Sequence, residues 1–584
     1  MADTSTGSVN RSRLGPALLI GAVFALTFCF FSVTEVFAAN RVELLFNFRD
    51  FAPWILLVSL GMTLLAALLI YLPGGKISCV IAAVFVWLTL MGYVQSTFLN
   101  GAKNLAGDDR EAFELGFPAV LNLLIWIAAL VLILLLALKW LRSDETLRTG
   151  VVILMVMLLG MQIAGFVSNL PKITLDRFAA AAQEEGSPGG EADENDAMLA
   201  ASYLCADGMF DAASKSNIYV IVLDRLDIDY TDRILRSDRT FYAPLTGFTY
   251  YRDNLSLYSR TFPGAPTIMA GQDADLSGTP EDFFRRVYPT SPLLHDLKDA
   301  GYHLRFYAGN FYSYRSGSVF YGLADNLATY TGYTVTNTGY LTLNMLLLSV
   351  YKAVPQLFKP MIDVSTQVFS SFVSYDADST PVAWNDEEYY QGISEKGLSD
   401  GGYENAYTFL HFRGGHDPYV LDRDANEVEK SSATEQVMGD FTIIYKLIDE
   451  LKKKDLYRDA TIIVTGDHPS AISDTKVPTQ TRVTGLFVKE AGRSDEPFAV
   501  SKAQVSQENL AATIIKSAGV PTAHDYGPAY SEIPEGEDRV RYHQFQLSLD
   551  DGNTEILRYK VTGPGTDFDN WELESRTNIG SLYY

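Results

Sequence analysis

Residues 218–223 read IYVIVL, an unbroken run of large apolar side chains that ends at Asp224. A run of this kind, without polar alternation, is typical of a strand buried on both faces of a sheet. Further strands are predicted at 303–308, 406–411, 461–465 and 484–489. The segments between them have the spacing of helices, most clearly at 291–300, 435–453 and 508–517. This alternation predicts an α/β domain with a mostly parallel sheet and helices on both faces.

Upstream of this domain lie five apolar runs, each long enough to cross the hydrocarbon of a bilayer, which takes about 20 residues. They are Leu14–Phe37, Ala52–Leu72, Ile77–Leu99, Phe117–Leu138 and Val151–Val167. Apart from Glu35 near the end of the first run, charged residues are confined to the joints between the runs, as expected of transmembrane helices. The first run is long and is followed by four more, so we interpret it as a retained span and not as a signal peptide.

The distribution of Lys and Arg between the joints predicts the orientation. One side carries Arg11, Arg13, Lys76, Lys139, Arg142 and Arg148, and the other carries Arg41, Arg49, Lys103 and Arg110 together with three Asp residues. Because cytoplasmic loops carry the excess of basic residues, the first side is expected to be cytoplasmic. An odd number of spans then places the C-terminal domain outside, so we expect a multi-pass plasma membrane protein whose larger domain is extracytoplasmic.

The predicted organisation has three parts. A five-span transmembrane domain covers 1–170, a connector and acidic linker cover 171–213, and the α/β domain covers 214–584. From about 535 onward the pattern alternates like antiparallel strands, which predicts a small C-terminal β subdomain. The segment Leu341–Val373 is more apolar than an exposed helix. It is either a pair of core helices or a lid that faces the membrane surface.

Composition restricts the partners. The net charge is −24, which argues against a nucleic-acid partner and against electrostatic docking on anionic lipid. Cys29 and Cys79 lie within predicted spans, which leaves Cys205 alone in the outer part of the chain. No intramolecular disulfide framework is therefore expected there, and the domain must rely on its own hydrophobic core.

Acidic and imidazole side chains occur where the predicted strands end. Asp224 follows the first strand, His411 ends the strand that leads into HFRGGHDPY, and Asp467-His468 follow the strand at 461–465. Ligands of open α/β sheets bind beyond the carboxyl ends of the strands. Each residue alone has an ordinary explanation as a helix cap or a turn residue. Together, carboxylates and imidazoles at one sheet edge are the ligand set of a divalent metal such as Zn²⁺ or Mn²⁺.

Three stretches carry a family resemblance, namely IYVIVLD, TFPGAPTIMAG and TIIVTGDH. With the H-x-x-G-x-H-x-P element they resemble the sulfatase-like branch of the alkaline phosphatase superfamily. The arrangement of five N-terminal spans before an outer enzyme domain is similar to that of lipoteichoic acid synthases and phosphoethanolamine transferases. The resemblance implies an alkaline phosphatase-like fold and a metal-dependent enzyme with one divalent ion, Mn²⁺ or Zn²⁺, with Mg²⁺ as a third candidate.

The resemblance also implies roles for individual residues. Asp224, Thr261, Asp467 and His468 stand at the positions of the family's metal ligands, and Thr261 stands at the position of its threonine nucleophile. Metal binding activates a hydroxyl that is otherwise a weak nucleophile. Ser259 and Thr267 are rival nucleophiles from the sequence alone, and a helix-capping role is the alternative for Thr261. The residues expected to bind substrate are His416, His411, Tyr314 and Arg315, the last through paired bonds to a phosphate.

Three departures from the family pattern bear on the site. Asp224 stands where those two families usually have Glu, and Asp227 or Asp229 could substitute for it. Pro469 follows the Asp-His pair where many relatives have Gly. No histidine occurs between His468 and His524, so a one-metal site is expected.

The predicted function is transfer of a phospho-alcohol, such as glycerol phosphate or ethanolamine phosphate, from a phospholipid donor. The acceptor would be a glycan or lipid of the cell envelope, and the intermediate a phospho-threonine. One alternative is a phosphodiesterase or sulfatase-type hydrolase of the same fold. A formylglycine sulfatase is not expected, because the segment from Thr261 to Ala265 lacks the C/S-x-P-x-R pattern. The other alternative is a non-catalytic membrane protein of envelope assembly.

Overall fold

The computed structural model describes residues 5–40, 44, 46–100, 117–140, 145–174, 202–309, 312–314, 316–362, 366–377, 379–382, 385–470, 476–478, 483–549 and 553–580. The chain divides into two compact units. The first, called the membrane unit, comprises 1–201 and 330–376, and the second, called the soluble unit, comprises 202–329 and 377–584. The predicted acidic linker at 183–197 lies outside the described residues.

The membrane unit begins with long apolar helices. These are α1 (Ser5–Leu26), α2 (Ser32–Ala39), α3 (Ala52–Tyr71), α4 (Gly75–Val94), α5 (Phe117–Trp140) and α6 (Glu145–Thr174), with π-helical turns at Thr27–Phe31 and Gln95–Leu99. Five stretches are long and apolar enough to cross a membrane: Leu14–Ala39, Ala52–Tyr71, Gly75–Leu99, Pro118–Ala137 and Thr149–Thr174. They confirm the five predicted spans, and the chain is a membrane protein.

The later elements alternate between strands and helices. In chain order they are β1 (Ser202–Leu204), β2 (Asp211–Ala212), β3 (Ser216–Leu223), α7 (Ile228–Ser237), β4 (Thr249–Leu255), α8 (Thr261–Ala270), α9 (Pro280–Val287), α10 (Pro292–Asp299), β5 (Tyr302–Tyr307), β6 (Leu327–Val335), α11 (Thr338–Ala353), β7 (Val373–Ala377), α12 (Asp386–Lys396), β8 (Ser399–Asp400), β9 (Asn405–Phe412), α13 (Ala433–Lys453), β10 (Thr461–Thr465), β11 (Thr484–Lys489), β12 (Ala499–Ser506), α14 (Leu510–Ala518), β13 (Val540–Ser548), β14 (Thr554–Thr562) and β15 (Trp571–Asn578).

The central sheet of the soluble unit has seven strands in the order β12-β4-β11-β10-β3-β9-β5. All neighbours pair in parallel except β11, which is antiparallel to both β10 and β4. On β3, Ile218 and Val220 pack into one hydrophobic cluster while Tyr219 and Ile221 pack into another. The strand is therefore buried on both faces, as its unbroken apolar run predicted. The central sheet is mostly parallel, as the alternation of strands and helices predicted.

A small antiparallel sheet, β13-β14-β15, closes the soluble unit. It forms the predicted C-terminal β subdomain, and β15 was not predicted because most of its residues are exposed and lack an apolar alternation. Strands β4 and β12 of the central sheet were also not predicted. The first half of β12 is exposed, and β4 carries Arg252 and Asp253 in its middle. Such charges weaken a strand pattern in the sequence.

The apolar segment Leu341–Val373 belongs to the membrane unit. Leu341, Met345 and Leu348 of α11 pack in one cluster with Val36, Phe37 and Ile55 of the predicted spans. The segment is therefore not a pair of helices in the core of the soluble unit. Its apolar character, from which the sequence alone left two interpretations open, reflects packing against transmembrane helices.

Candidate active site

The predicted strand ends meet at one edge of the central sheet. β3 pairs in parallel with β9 on one side and with β10 on the other, so Leu223 lies beside Phe412 and Val222 beside both His411 and Thr465. This register brings together Asp224, His411 and Asp467, each of which offers one ligand atom within 4.8 Å of the other two. All three side chains are buried.

Thr261 lies at the start of α8, and its hydroxyl faces the same cluster. Its Oγ1 is 3.4 Å from Asp224 Oδ2 and 3.2 Å from His468 Nε2. His468 Nε2 is in turn 3.5 Å from Asp224 Oδ1 and 3.7 Å from Asp467 Oδ2. The four residues predicted as metal ligands therefore lie together. His411, which was expected to bind substrate, lies in the same group as Asp224 and Asp467.

The chemistry of the cluster fits a bound cation. Two buried carboxylate oxygens, Asp224 Oδ1 and Asp467 Oδ2, have no hydrogen-bond partner among the described residues. Burial, reinforced by the Asp467 carboxylate, raises the pKa of Asp224 well above its ordinary value. A divalent cation would neutralise this pair and occupy the oxygens that hydrogen bonds leave unused.

The imidazole of His468 is oriented for the same role. Its Nδ1–H donates to the Pro469 carbonyl at 2.7 Å, which leaves the lone pair on Nε2 facing Thr261 and the two carboxylates. Burial lowers the pKa of His468 to about 4, so the ring is neutral, which is the form that binds metals. Burial also lowers the pKa of His411.

Backbone contacts hold the strand ends in register. Asp224 N–H donates to the Phe412 carbonyl at 3.0 Å, and Gly415 N–H donates to the Asp224 carbonyl at 2.7 Å. Gly414 sits at φ 58°. A Cβ there would come within 2.3 Å of the Asp224 carbonyl oxygen. The loop after β9 can approach Asp224 this closely only because Gly414 has no side chain.

Gln507 ties the Asp467 segment to the chain that leads to Thr261. Its Nε2 donates to the carbonyls of Gly466 and Asp467 at 3.1 and 3.0 Å. Its Oε1 accepts from Leu257 N–H at 2.7 Å. One amide side chain therefore spans two of the segments that carry the candidate ligands, and no local pattern around Gln507 indicates this role.

The other acidic residues after β3 have different positions. Asp227 caps α7 and also accepts from the N–H and the hydroxyl of Ser470, both at 3.0 Å. Asp229 is exposed in the first turn of α7. Asp224, and not Asp227 or Asp229, is therefore the carboxylate next to Thr261.

The rival hydroxyls serve the backbone. Ser259 Oγ is buried and accepts from Gln546 N–H at 3.0 Å. Thr267 Oγ1 donates to the Pro263 carbonyl at 2.8 Å, one turn earlier in α8. Neither contact involves the carboxylate cluster, so among the three hydroxyls it is that of Thr261 that lies beside the cluster.

His416 lies on the loop after β9, near the cluster but more open to solvent. Its side chain is 30% exposed, and its Nδ1–H donates to the Asp417 carbonyl. Burial, together with the charge of Arg225, lowers the pKa of His416 and keeps the ring neutral near pH 7. A neutral imidazole at the opening of a site can accept a proton from an incoming alcohol or water.

Two arginines near the site were not predicted. Arg225 follows Asp224 at φ 55°. Its N–H donates to Asp467 Oδ1 at 3.1 Å, and its guanidinium binds Asp417 at 2.8 Å. The charges of Arg225 and Arg260 both act on His468. Each arginine is next to a candidate ligand in the sequence, which could have indicated a role at the site. An arginine beside such a residue is, however, common on any protein surface.

Of the two remaining residues predicted to bind substrate, Tyr314 lies within the described part of the chain and Arg315 does not. Tyr314 is buried, accepts from Leu204 N–H at 3.2 Å and packs against Phe320. Arg315 lies outside the described residues. Their roles in substrate binding stay predictions.

One family model matches part of the chain. Residues 245–520 match the family model described as Sulfatase. The matched segment contains Thr261, His411, His416, Asp467 and His468, while Asp224 precedes it. No curated protein sequence matches the chain.

Solved structures similar to the chain include three bacterial proteins. A protein in the alkaline phosphatase superfamily from Vibrio parahaemolyticus is 13% identical, with a TM-score of 0.36 over 69% of this chain and 88% of that one. The lipoteichoic acid synthase LtaP from Listeria monocytogenes is 14% identical, with a TM-score of 0.33 over 64% and 87%. The phosphonate monoester hydrolase SpPMH from Silicibacter pomeroyi is 15% identical, with a TM-score of 0.35 over 60% and 88%. TM-scores of this size support no inference about function.

Proposed function

We propose that the sulfatase-like domain of this membrane protein is a metal-dependent phosphotransferase that moves a phospho-alcohol from a phospholipid to a glycan or lipid of the cell envelope. A hydrolase or phosphoryl transferase of this family is what the match over residues 245–520 supports in general terms. The observation that carries the proposal is the position of Thr261 Oγ1, 3.4 Å from Asp224 Oδ2 and 3.2 Å from His468 Nε2 at the edge of the sheet.

The first half of the reaction forms a covalent intermediate. Thr261 Oγ attacks the phosphorus of the phospholipid, the bond from phosphorus to the diacylglycerol oxygen breaks, and that oxygen takes a proton from water so that diacylglycerol leaves as the alcohol. The hydroxyl proton is directed at Asp224 Oδ2, which accepts from it in the structure. The phospho-alcohol is left on Thr261 as a phosphodiester.

The second half releases the phospho-alcohol to the acceptor. A hydroxyl of the envelope glycan or lipid attacks the same phosphorus, the bond to Thr261 Oγ breaks, and Thr261 Oγ takes back its proton from Asp224. His416, neutral and partly exposed at the site, accepts the proton of the incoming hydroxyl. If water takes the place of the acceptor, the same steps give a phosphodiesterase.

Asp224, Thr261, Asp467 and His468 would hold one divalent ion, Mn²⁺, Zn²⁺ or Mg²⁺, with His411 adjacent. When bound, the ion supplies positive charge that lowers the pKa of the threonine hydroxyl and stabilises charge on the transferred group. The chain's own contribution is to place these donors before substrate arrives. Asp227 and Gln507 do so by fixing the backbone around Asp467 and His468.

The membrane spans fit a lipid donor. We expect the domain to lie on the extracytoplasmic side of the plasma membrane, where the positive-inside rule places it. Five spans would then tether the domain to the membrane that contains the donor.

The test uses the full-length protein in lipid nanodiscs that contain phosphatidylglycerol labelled in its head group. Wild type is expected to release diacylglycerol after metal loading and to lose this activity with a chelator. Thr261→Ala should lower the rate by about 10³-fold or more, while mass spectrometry should still find bound metal because Asp224, Asp467 and His468 remain. Thr261→Ser is the matched control and should retain part of the activity, because it keeps a hydroxyl.

The label separates the outcomes. Label on an envelope glycan or lipid fraction means transfer, whereas free glycerol phosphate means that water is the acceptor. A Thr261→Ala variant as active as wild type would contradict the nucleophile, and a wild type that binds no metal and cleaves no phospholipid would favour a non-catalytic role.

A further inference from the structure

Residues 338–361 of the membrane unit have an unusual distribution of charge. The segment contains two charged residues, Lys352 and Lys359, and both are buried. Its exposed residues are Gly339, Tyr340, Leu343, Val350, Phe358, Pro360 and Met361, none of which is charged. A helix on the surface of a water-soluble protein shows the reverse arrangement. The outward face of this segment is therefore suited to hydrocarbon and not to water.

The inward face of the segment contacts the ends of several spans. Lys352 Nζ binds Glu35 at 2.8 Å, near the end of the first span. Asn100, next to the end of the third span, donates to the Lys352 carbonyl at 2.8 Å. Asn122, near the start of the fourth span, accepts from Gln356 N–H at 3.1 Å. Alternation of the spans puts all three of these ends on the same side of the bilayer.

One contact reaches deeper into the bundle. Ser349 Oγ donates to the Phe28 carbonyl at 2.6 Å, within the π-helical turn at Thr27–Phe31. Phe28 lies 11 residues before Ala39, the end of the first span, which is about 16 Å along a helix at 1.5 Å per residue. One leaflet of hydrocarbon is about 15 Å thick. The segment therefore contacts the first span near the middle of the membrane.

The segment is too short to be a sixth span. α11 has 16 residues, which is about 24 Å of helix, less than the roughly 30 Å of the hydrocarbon core. Strands β6 and β7 lead into and out of it. A short apolar helix that enters and leaves on one side, with its polar groups satisfied by neighbouring helices, is a re-entrant membrane segment.

We propose that residues 338–361 form such a re-entrant segment, and that Leu343, Val350, Phe358 and Met361 contact the acyl chains of the leaflet next to Ala39 and Ala52. The occupant of this face is lipid hydrocarbon, because the exposed surface of α3 in the same unit has the same character. Leu57, Leu60 and Leu64 of that helix are each more than half exposed. The inference does not depend on the catalytic chemistry of the soluble unit.

The first test needs no substitution. Full-length wild-type protein is placed in nanodiscs of phosphatidylcholine that carries a photoactivated diazirine in its acyl chain, irradiated, and mapped by mass spectrometry. Labelled residues are expected within 338–361 as well as on the spans. Labelling confined to the spans would overturn the proposal and would mean that protein or water covers this face.

The second test measures the environment of single spin labels in a full-length variant that lacks Cys29, Cys79 and Cys205. Leu343→Cys should be more accessible to oxygen than to a water-soluble nickel complex, as Leu60→Cys on α3 should be. Leu348→Cys, on the buried face of α11, should be protected from both reagents. Val500→Cys, exposed in the soluble unit, gives the aqueous reference, and a Leu343→Cys label that behaves like it would contradict the proposal.

Discussion

At the scale of single residues, the site depends on groups that do not touch substrate. Asp227 is the clearest case, because its carboxylate caps α7 and also accepts two bonds from Ser470. Ser470 lies two residues after His468, and His468 donates to the intervening Pro469 carbonyl. Asp227 therefore sets the position of the imidazole without entering the cluster.

We expect Asp227→Ala to leave two buried donors of Ser470 unsatisfied, at a cost of about 1–3 kcal/mol in the free energy of unfolding. Metal affinity or activity should fall by about 10- to 100-fold, as is usual when an outer residue that orients a ligand is lost. Isothermal titration with Mn²⁺ and the diacylglycerol assay measure these effects. Asp229→Ala, at an exposed position of the same helix, is the control and should change neither quantity. Equal effects of the two substitutions would show that they come from the loss of a negative charge at the start of α7 and not from the contact with Ser470.

The residues of the cluster could be predicted because parallel strands bring their carboxyl ends to one edge. Asp224, His411 and Asp467 follow this rule directly. Asp227, Gln507 and Arg225 could not be predicted, because their roles depend on contacts with segments far away in sequence. Nothing in their local sequence distinguishes them from a cap, a surface amide or a surface cation.

At the scale of elements, the C-terminal sheet holds the segment that carries Thr261. Ser259 N–H donates to the Gln544 carbonyl at 3.2 Å. Gln546 N–H donates to Ser259 Oγ at 3.0 Å, and Gln546 Nε2 donates to the Phe262 carbonyl at 2.9 Å. Strand β13 therefore binds the backbone on both sides of the proposed nucleophile.

Loss of one of these contacts should misplace Thr261. We expect Gln546→Ala to lower kcat by between about 10- and 100-fold, because a shift of the nucleophile by about 1 Å is enough for such a loss. Metal content should stay the same, because the Gln546 side chain donates to the Phe262 carbonyl, next to Thr261, and not to a candidate ligand atom. Gln544→Ala is the matched control on the same strand, because its side chain is directed at Asp273. Unchanged kcat in Gln546→Ala would show that α8 holds Thr261 by itself.

The same sheet explains why one element was missed. Asp253 interrupts the apolar pattern of β4, yet it is buried and accepts from Arg541 Nη1 at 2.9 Å. Arg541 lies on β13, almost three hundred residues away. A buried ion pair between distant elements cannot be inferred from either local sequence, so β4 did not have the pattern of a strand.

At the scale of the whole molecule, stability should depend on a second pair of buried acids. Asp386, at the start of α12, and Asp440, on α13, are both buried beside each other, with Arg413 as the nearest cation. Burial raises the pKa of Asp386 to about 6 and, together with the Asp386 carboxylate, raises the pKa of Asp440 well above its ordinary value. The protonated forms are therefore favoured in the folded state.

Raised pKa values determine the sign of the pH dependence. The stability that these groups contribute is fully present below about pH 4, the unfolded value, and is lost as the pH rises through 6 and above. We expect Asp440→Asn to raise the Tm at pH 8 relative to wild type and to have a smaller effect at pH 5. Asp449→Asn, an exposed position on the same helix, is the control. A Tm difference that is the same at both pH values would contradict the shared burial of the two acids.

The division of the chain into units was the part of the fold that the sequence described least well. Five spans and a parallel sheet are local patterns, and both were predicted. The membership of residues 330–376 was not, because α11 is defined by contacts with spans about 300 residues earlier. An apolar segment in the sequence indicates that something covers it, but not which part of the chain does so.

The membership of residues 330–376 in the membrane unit also governs how proteolysis could separate the two units. The polypeptide passes between the two units three times, near residues 201, 329 and 376. A protease that severs the chain between 175 and 201 would leave the soluble unit joined through the other two passages. Shedding would need at least three cuts, and a fragment that begins at Ser202 would carry Leu341, Met345 and Leu348 without their packing partners.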